Sequence, residues 1–192
     1  RPNGRIRLSY KHNGSDTEID YWIHRAPAVV GVVFILGLEN IRVLITQRSN
    51  KMHDEASKFG VPCGYLDWDE TLYEAMMREV YEETSFYMPD YEKYCIFDND
   101  KQPFQVKDNS KTDKRQNVSH IFVSVYDFEG KSEQFPLVEL EKFTCRETAQ
   151  VKIIKLIDFF NMFRDVEWAF NHDETIQSAL RFFNKNFNGS EL

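Results

Sequence analysis

A glycine at 64, a glutamate at 70 and the run Arg78-Glu79-Val80-Tyr81-Glu82-Glu83-Thr84-Ser85-Phe86 constrain this chain more than any other feature in it. With each charged residue at ~6%, glycine at ~7% and apolar residues at ~30% of positions, eight matches at fixed offsets arise by chance in about one chain in a million. Leu72, Met76 and Val80 recur every four residues, so Thr71 to Thr84 is expected to form a helix with one apolar stripe. At ~3.6 residues per turn, Glu79, Glu82 and Glu83 then fall within an arc of roughly 100° on one face.

Carboxylates spaced i, i+3 and i+4 repel one another by a few tenths of a kcal/mol per pair. A hard divalent cation removes that penalty, because Mg²⁺ takes oxygen ligands, binds a few carboxylates and completes its octahedron with water or phosphate oxygens. The competing reading is a solvated acidic face with Glu74-Arg78 and Arg78-Glu82 pairs. Gly64 and Glu70, in register upstream, favour the metal site. The preceding run, Lys58-Phe59-Gly60-Val61-Pro62-Cys63-Gly64-Tyr65-Leu66-Asp67-Trp68-Asp69-Glu70-Thr71, is rich in turn formers, and its glycines let backbone approach a ligand closely.

The segment Gly64 to Phe86 resembles the Nudix box: glycine, five residues, glutamate, seven residues, Arg-Glu, an apolar residue, any residue, Glu-Glu, any residue, glycine and an apolar residue. The resemblance takes in the Phe-x-x-Pro-x-Gly run at Phe59 and the strand pair before it, covering roughly Ala28 to Phe86. Ser85 departs from the pattern, standing where the family has a glycine that ends the helix in a left-handed turn. A serine held in that conformation costs ~1 kcal/mol. Cys63 stands where many members have a second glycine, and a residue that offers only its carbonyl to the metal has no use for the thiol.

The resemblance implies hydrolysis of a diphosphate bond with Mg²⁺ as cofactor and Mn²⁺ as its alternative. It casts Glu82 and Glu83 as principal metal ligands and Glu79 as a further ligand or the general base. Gly64 or its neighbour Cys63 would supply a backbone carbonyl. Arg78 would orient the neighbouring glutamates, and Glu70 would be structural. A base could instead come from a later loop, with Glu147 in Phe143-Thr144-Cys145-Arg146-Glu147 as the candidate; its other reading is an exposed loop acid. Arg48 closes the second strand where many Nudix proteins carry an arginine facing substrate, and its guanidinium could hold a phosphate through two bonds. An exposed strand-end arginine is the alternative.

The chain has 192 residues, 42% of them hydrophobic, enough for one domain over residues 1–192 with a substantial core. No apolar run reaches membrane length. A net charge of −7 argues against a nucleic-acid binder held by phosphate contacts, and an acidic protein that handles phosphates needs a cation between them. Cys63, Cys95 and Cys145 lack metal-ligand spacing and are expected to stay reduced in the cytoplasm.

Residues 1–20 read as a polar extension, flexible or strand-forming, with a short strand at Ile6 to Tyr10. Ala28 to Leu38 is a continuous apolar run, hence a buried strand; Ile41 to Gln47 is a second, joined to it by a turn at Glu39-Asn40. Further strands are expected at Tyr94 to Phe97, Val118 to Phe128, where Ile121, Val123 and Val125 alternate with His120, Phe122 and Ser124, and Val151 to Leu156. Leu156 to Phe163 and Glu174 to Asn184 read as helices. Together these give an α/β class chain, a mixed sheet in an α/β/α sandwich as in the Nudix fold. The polar stretch 98–117, with Lys101, Lys107, Lys111, Lys114 and Arg115, reads as an inserted loop: either solvated, or a lid bringing a lysine to substrate phosphates.

Trp168-Ala169-Phe170-Asn171-His172 resembles an Ala-Phe-x-His motif of ADP-ribose-type Nudix relatives. Trp168 or Phe170 could stack on a base, with core packing as the alternative, and Asn171 or Asp173 could cap the last helix. His120 and His172 read as structural. The implied substrate is a nucleoside diphosphate linked to another group, ADP-ribose first. A non-catalytic nucleotide-binding regulatory module and a fold-only scaffold are the alternatives, against which the intact Glu79, Glu82 and Glu83 weigh. A homodimer is the association that the relatives suggest.

Overall fold

The computed structural model describes residues 4–12, 15–23, 26–37, 40–108, 117–128, 137–162 and 165–187. Strands β1 (Gly4–His12) and β2 (Ser15–Ile23) pair antiparallel in a sheet of their own. Their register runs from Gly4 opposite Ile23 to His12 opposite Ser15. The first strand thus extends beyond the Ile6 to Tyr10 expected from its apolar residues.

An eight-stranded sheet comprises β3 (Ala26–Leu36), β4 (Ile41–Arg48), β5 (Phe59–Gly60), β6 (Cys63–Tyr65), β7 (Cys95–Phe97), β8 (Gln105–Asp108), β9 (Asn117–Asp127) and β10 (Thr148–Lys155). The helices are α1 (Leu72–Thr84), α2 (Leu137–Glu141), α3 (Leu156–Met162) and α4 (His172–Phe187). The strand order is β10-β4-β3-β9-β7, with β5 on β4, β6 on β3 and β8 on β9. β3 and β9 run parallel and the other neighbours antiparallel, so the sheet is mixed.

Ala28 to Ile35 are all buried, because helices cover both faces of the sheet. Val29, Val33 and Phe122 pack with Met76 and Val80 of α1 and Leu140 of α2. Val30, Val32, Phe34 and Ile121 pack with Phe159 of α3 and Ile176 and Phe183 of α4. This is the expected α/β/α arrangement. The alternation in Val118 to Phe128 separates two buried faces: Ile121, Val123 and Val125 pack on the α3 and α4 side and Phe122 on the α1 side, with Ser124 buried as well. Gly31 interrupts the β3 run because a Cβ there would lie 2.8 Å from Val80 Cγ2, so α1 rides close over the sheet.

The stretch 98–117 is only partly loop. It holds a 3₁₀ turn, Asn99–Lys101, and the edge strand β8, since main-chain pairing to β9 does not depend on side-chain polarity. Lys107 donates to Thr175 Oγ1 at 2.9 Å, and Lys101 lies 3.6 Å from Glu92; neither reaches the box carboxylates. Lys111, Lys114 and Arg115 lie outside the described residues, as do Glu39, Leu38 and Phe163. α4 starts at His172, so Asp173 stands inside its first turn and is not its cap. Among the described residues no helix is long and apolar enough to cross a membrane.

His172 pins α4 to the loop before the box. Its Nδ1 accepts the Val61 N–H at 3.1 Å, which places the ring proton on Nε2. Burial, then the charges of Arg48 and Lys107, push its pKa from 6.5 down to about 3. The unfolded chain therefore binds a proton below pH 6.5 that the folded chain refuses. His172 contributes stability above that pH, and the contribution is lost toward pH 3 by ~1.4 kcal/mol per unit. Urea midpoints at pH 7.5, 6.0 and 4.5 should show wild type losing stability relative to His172→Gln across that range. Parallel curves would contradict the assignment. The comparison is made by difference because Glu83, described below, titrates with the opposite sign in both proteins.

Candidate metal and diphosphate site

Thr71 starts the box helix with reciprocal caps: its Oγ1 accepts the Glu74 N–H at 3.2 Å and its own N–H donates to Glu74 Oε2 at 2.8 Å. Ser85 ends it in the left-handed conformation that the family's glycine would adopt, at φ 63°. Its N–H donates to Tyr81 O at 2.7 Å, so the helix stop is kept despite the side chain.

Arg78 binds this region together. Its Nε and Nη2 donate to the two oxygens of Glu70 at 3.0 and 2.8 Å, and Nη2 also donates to Tyr65 O at 2.9 Å. Nη1 donates to Glu79 Oε1 at 2.8 Å and Glu82 Oε2 at 3.1 Å. Glu70 Oε1 in turn accepts the Asp67 N–H at 2.7 Å, fastening the loop. The Arg78 hydrogen bonds hold the Glu70 carboxyl below its usual range, and those same carboxylates raise Arg78. Glu70 thus ties the loop to the helix.

Glu83 lies in a different environment. Its side chain is buried, Oε2 lies 3.4 Å from Thr46 Oγ1 of β4, and Oε1 is buried with no hydrogen-bond partner among the described residues. Burial, then the Glu79 charge, pushes its pKa from 4.5 to about 8, against the pull of Arg48 and the Cys63 backbone. Burial also raises Glu79, with Arg78 opposing. A carboxyl raised in this way is a stronger proton acceptor once ionised.

Cys63, Gly64, Glu79, Glu82, Glu83 and Glu147 line one cavity of about 430 Å³. The fold thus brings Glu147 to the box carboxylates: the Ser49 N–H donates to Glu147 O at 2.7 Å, fixing the loop beside β4. Burial pushes the Cys63 thiol well above its usual range, so its sulfur stays protonated. A Cβ on Gly64 would lie 2.0 Å from Glu79 Oε1, so only glycine lets that carboxylate rest against β6. Gly64→Ala is therefore expected to expel Glu79 and lower turnover at least about tenfold, since ~1 Å of misplacement is enough for such a loss. A wild-type rate in this variant would show that Glu79 need not sit there.

As they stand, no three His, Cys, Asp or Glu side chains among the described residues converge closely enough to chelate an ion. Arg78 draws Glu79 and Glu82 toward itself while Glu83 turns to Thr46. The donor set nevertheless fits a hard divalent cation: it is all oxygen, and Glu83 Oε1 is buried without a hydrogen bond within 3.5 Å among the described residues. A larger cavity, about 630 Å³, opens beside α1 between Tyr73, Met88 and Tyr126 and contains none of these carboxylates. Chemistry, not size, distinguishes the two.

Arg48 projects from the end of β4, its Nε donating to Asp54 O at 3.3 Å and its Cζ 5.2 Å from the Phe170 ring centre. Trp168 is taken into the core against Phe59 and Phe159, while Phe170 is left 40% exposed. His120 Nδ1 lies 3.4 Å from Ala28 O between adjacent strands. Sequence reading missed Thr46, Tyr65, Asp67 and Arg146 at or beside the cavity, and no spacing in the chain signals them.

The NUDIX domain family model matches residues 25–175, and the chain belongs to that family. No curated protein matches it. Solved structures share its fold. The NUDIX domain of Shewanella oneidensis NrtR complexed with ADP ribose is 19% identical, with a TM-score of 0.58 over 83% of this chain and 89% of that one. A bifunctional NMN adenylyltransferase/ADP ribose pyrophosphatase from Francisella tularensis, complexed with AMP and a Mn ion, is 22% identical with a TM-score of 0.59, over 83% of this chain and 42% of that one. A C. elegans Ap4A hydrolase binary complex is 16% identical with a TM-score of 0.56, over 85% of this chain and 98% of that one.

Proposed function

We propose that this protein is a metal-dependent pyrophosphohydrolase acting on a nucleoside diphosphate joined to a second group, with an ADP-ribose-like compound as the first substrate to test. The observation that carries this reading is the gathering of Glu79, Glu82, Glu83 and Glu147 around one cavity, with a buried carboxylate oxygen left unpartnered. Glu79, Glu82 and Glu83 would hold Mg²⁺ or Mn²⁺, with the backbone carbonyl of Gly64 or Cys63 as a further oxygen donor. When bound, the cation would offset diphosphate charge and lower the pKa of an attacking water.

The chain's own groups do the rest. Arg78 sets the rotamers of Glu79 and Glu82. As the alternative to a third ligand, Glu79, raised by burial, is suited to take the proton from water at its carboxylate, with Glu147 in the same cavity as the other candidate base. The buried Cys63 thiol takes no part. Similarity to the ADP-ribose-bound NrtR domain and to an enzyme described as an ADP ribose pyrophosphatase supports the substrate choice.

The first similarity also keeps a second reading alive, a nucleotide-binding regulatory module without turnover. A NrtR structure with a 27mer DNA, 21% identical, has the same fold, but the net charge of −7 here gives no reason to propose a nucleic-acid partner. A cytoplasmic location and a homodimer belong to the same proposal. The deciding experiment is product chromatography across ADP-ribose, NADH, dinucleoside polyphosphates, nucleotide sugars and nucleoside triphosphates with Mg²⁺ or Mn²⁺. Metal-dependent cleavage of one class supports the hydrolase. Tight binding of one nucleotide without cleavage selects the regulatory module.

A further inference from the structure

Phe170 is held in a costly backbone conformation. It and Asn171 are both left-handed, at φ 51° and φ 56°; asparagine tolerates this region, but for a phenylalanine the conformation must be imposed by its surroundings. Those surroundings are in place. On one side the Phe59 N–H donates to Glu167 O at 2.9 Å, and Trp168 is locked between Phe59 and Phe159. On the other side His172 accepts from Val61, and Thr175 Oγ1 donates to Asn171 O at 3.2 Å.

What the strained turn delivers is an aromatic ring against Arg48. The guanidinium carbon lies 5.2 Å from the ring centre, and Nε is tied to Asp54 O. Among the described residues, Nη1 and Nη2 of Arg48 have no hydrogen-bond or ion-pair partner. Arg48 stands two residues beyond Thr46 on β4, so it shares the face on which Thr46 meets Glu83, about 7 Å further along the strand. Its charge is felt by Glu83. A guanidinium with a fixed plane and two terminal nitrogens unengaged among the described residues, one pleat beyond the threonine that meets Glu83, suits the two oxygens of a phosphate.

We infer that Phe170 is a positioning residue: the strained Phe170-Asn171 turn holds its ring against Arg48, so that the guanidinium meets a substrate phosphate through both terminal nitrogens. The inference rests on the hydrolase reading for its substrate but not for its geometry. It assigns the face of Phe170 that meets Arg48 a role distinct from stacking on a nucleobase.

The test compares Phe170→Leu, which keeps bulk but not the aromatic face, with Phe170→Tyr, which keeps both. In the free full-length chain, the Arg48 Nε–H proton resonance should be shifted by the ring in wild type and Phe170→Tyr and should lose that shift in Phe170→Leu. By calorimetry with Mg²⁺, inorganic pyrophosphate and an uncleavable methylene analogue of ADP-ribose should both bind roughly tenfold more weakly to Phe170→Leu, with recovery in Phe170→Tyr. An Arg48 resonance indifferent to Phe170→Leu overturns the inference. So does weakening of the ADP-ribose analogue alone, which would put Phe170 on the base. If wild type binds neither probe, the hydrolase reading fails and takes the phosphate role with it, an outcome told apart by an Arg48 resonance that still responds to Phe170→Leu.

Discussion

Replacing Glu82 by glutamine is expected to lower kcat at least about a hundredfold while the melting temperature stays within about 2 °C of wild type. The two halves have separate causes. Glu82 has a side chain 56% exposed, and its described polar contact is a 3.1 Å hydrogen bond from Arg78 Nη1. An exposed i,i+4 pair contributes ~0.5 kcal/mol or less, and Arg78 keeps Glu70, Glu79 and Tyr65 O when it goes. The carboxylate charge, by contrast, is one of three that would hold the cation, and a neutral amide weakens the grip of the whole set. Rates under saturating Mg²⁺ and a thermal melt of the same preparation check both halves. Wild-type turnover would remove Glu82 from the metal site, and a collapsed melt would make it a structural residue.

Arg78→Ala should act mainly on stability, by about 2–4 kcal/mol, equivalent to roughly 5–15 °C in Tm for a chain of this size. The guanidinium is 25% exposed and makes five hydrogen bonds, while Glu70 and Glu79 around it are only 14% and 12% exposed. Removing it leaves two largely buried carboxylates unpaired and unfastens the Asp67 to Glu70 turn. The pH dependence should change with it. Glu70, held below its usual pKa by Arg78, contributes stability above pH 4.5 that is lost as pH falls through its lowered value. That acid-side loss should vanish in the variant. Mg²⁺ should recover more stability in Arg78→Ala than in wild type, because Glu79 and Glu82 no longer have a competing cation. Equal Mg²⁺ stabilisation of both proteins would mean that the cation does not use those two carboxylates.

Much of this molecule was legible in the sequence where local periodicity decides structure. The apolar run from Ala28 reads as a doubly covered strand because eight successive buried positions leave no polar face. The stripe Leu72, Met76, Val80 fixes the box helix to within a residue, since that signal lies within the segment itself. Where strands pair at an edge the signal fails. β8 carries Gln105, Lys107 and Asp108 and reads as loop, yet it joins the sheet through its main chain. Exposed polar residues do not oppose an edge strand.

By itself the sequence determined the carboxylates on one helix turn, their spacing, the glycine beside them and the family to which they belong. Only the tertiary structure decided their environments. Glu82 points to solvent and Arg78, Glu79 rests against Gly64, and Glu83 is sealed beneath Thr46, although all three belong to the same few residues of chain. It also decided that Glu147 would share their cavity and that Phe170, not Trp168, would stay outside the core. The physical reason is that pattern within a segment fixes the direction in which a side chain leaves the backbone. Its solvation, and hence its proton affinity and its remaining partners, depend on which distant elements pack against it.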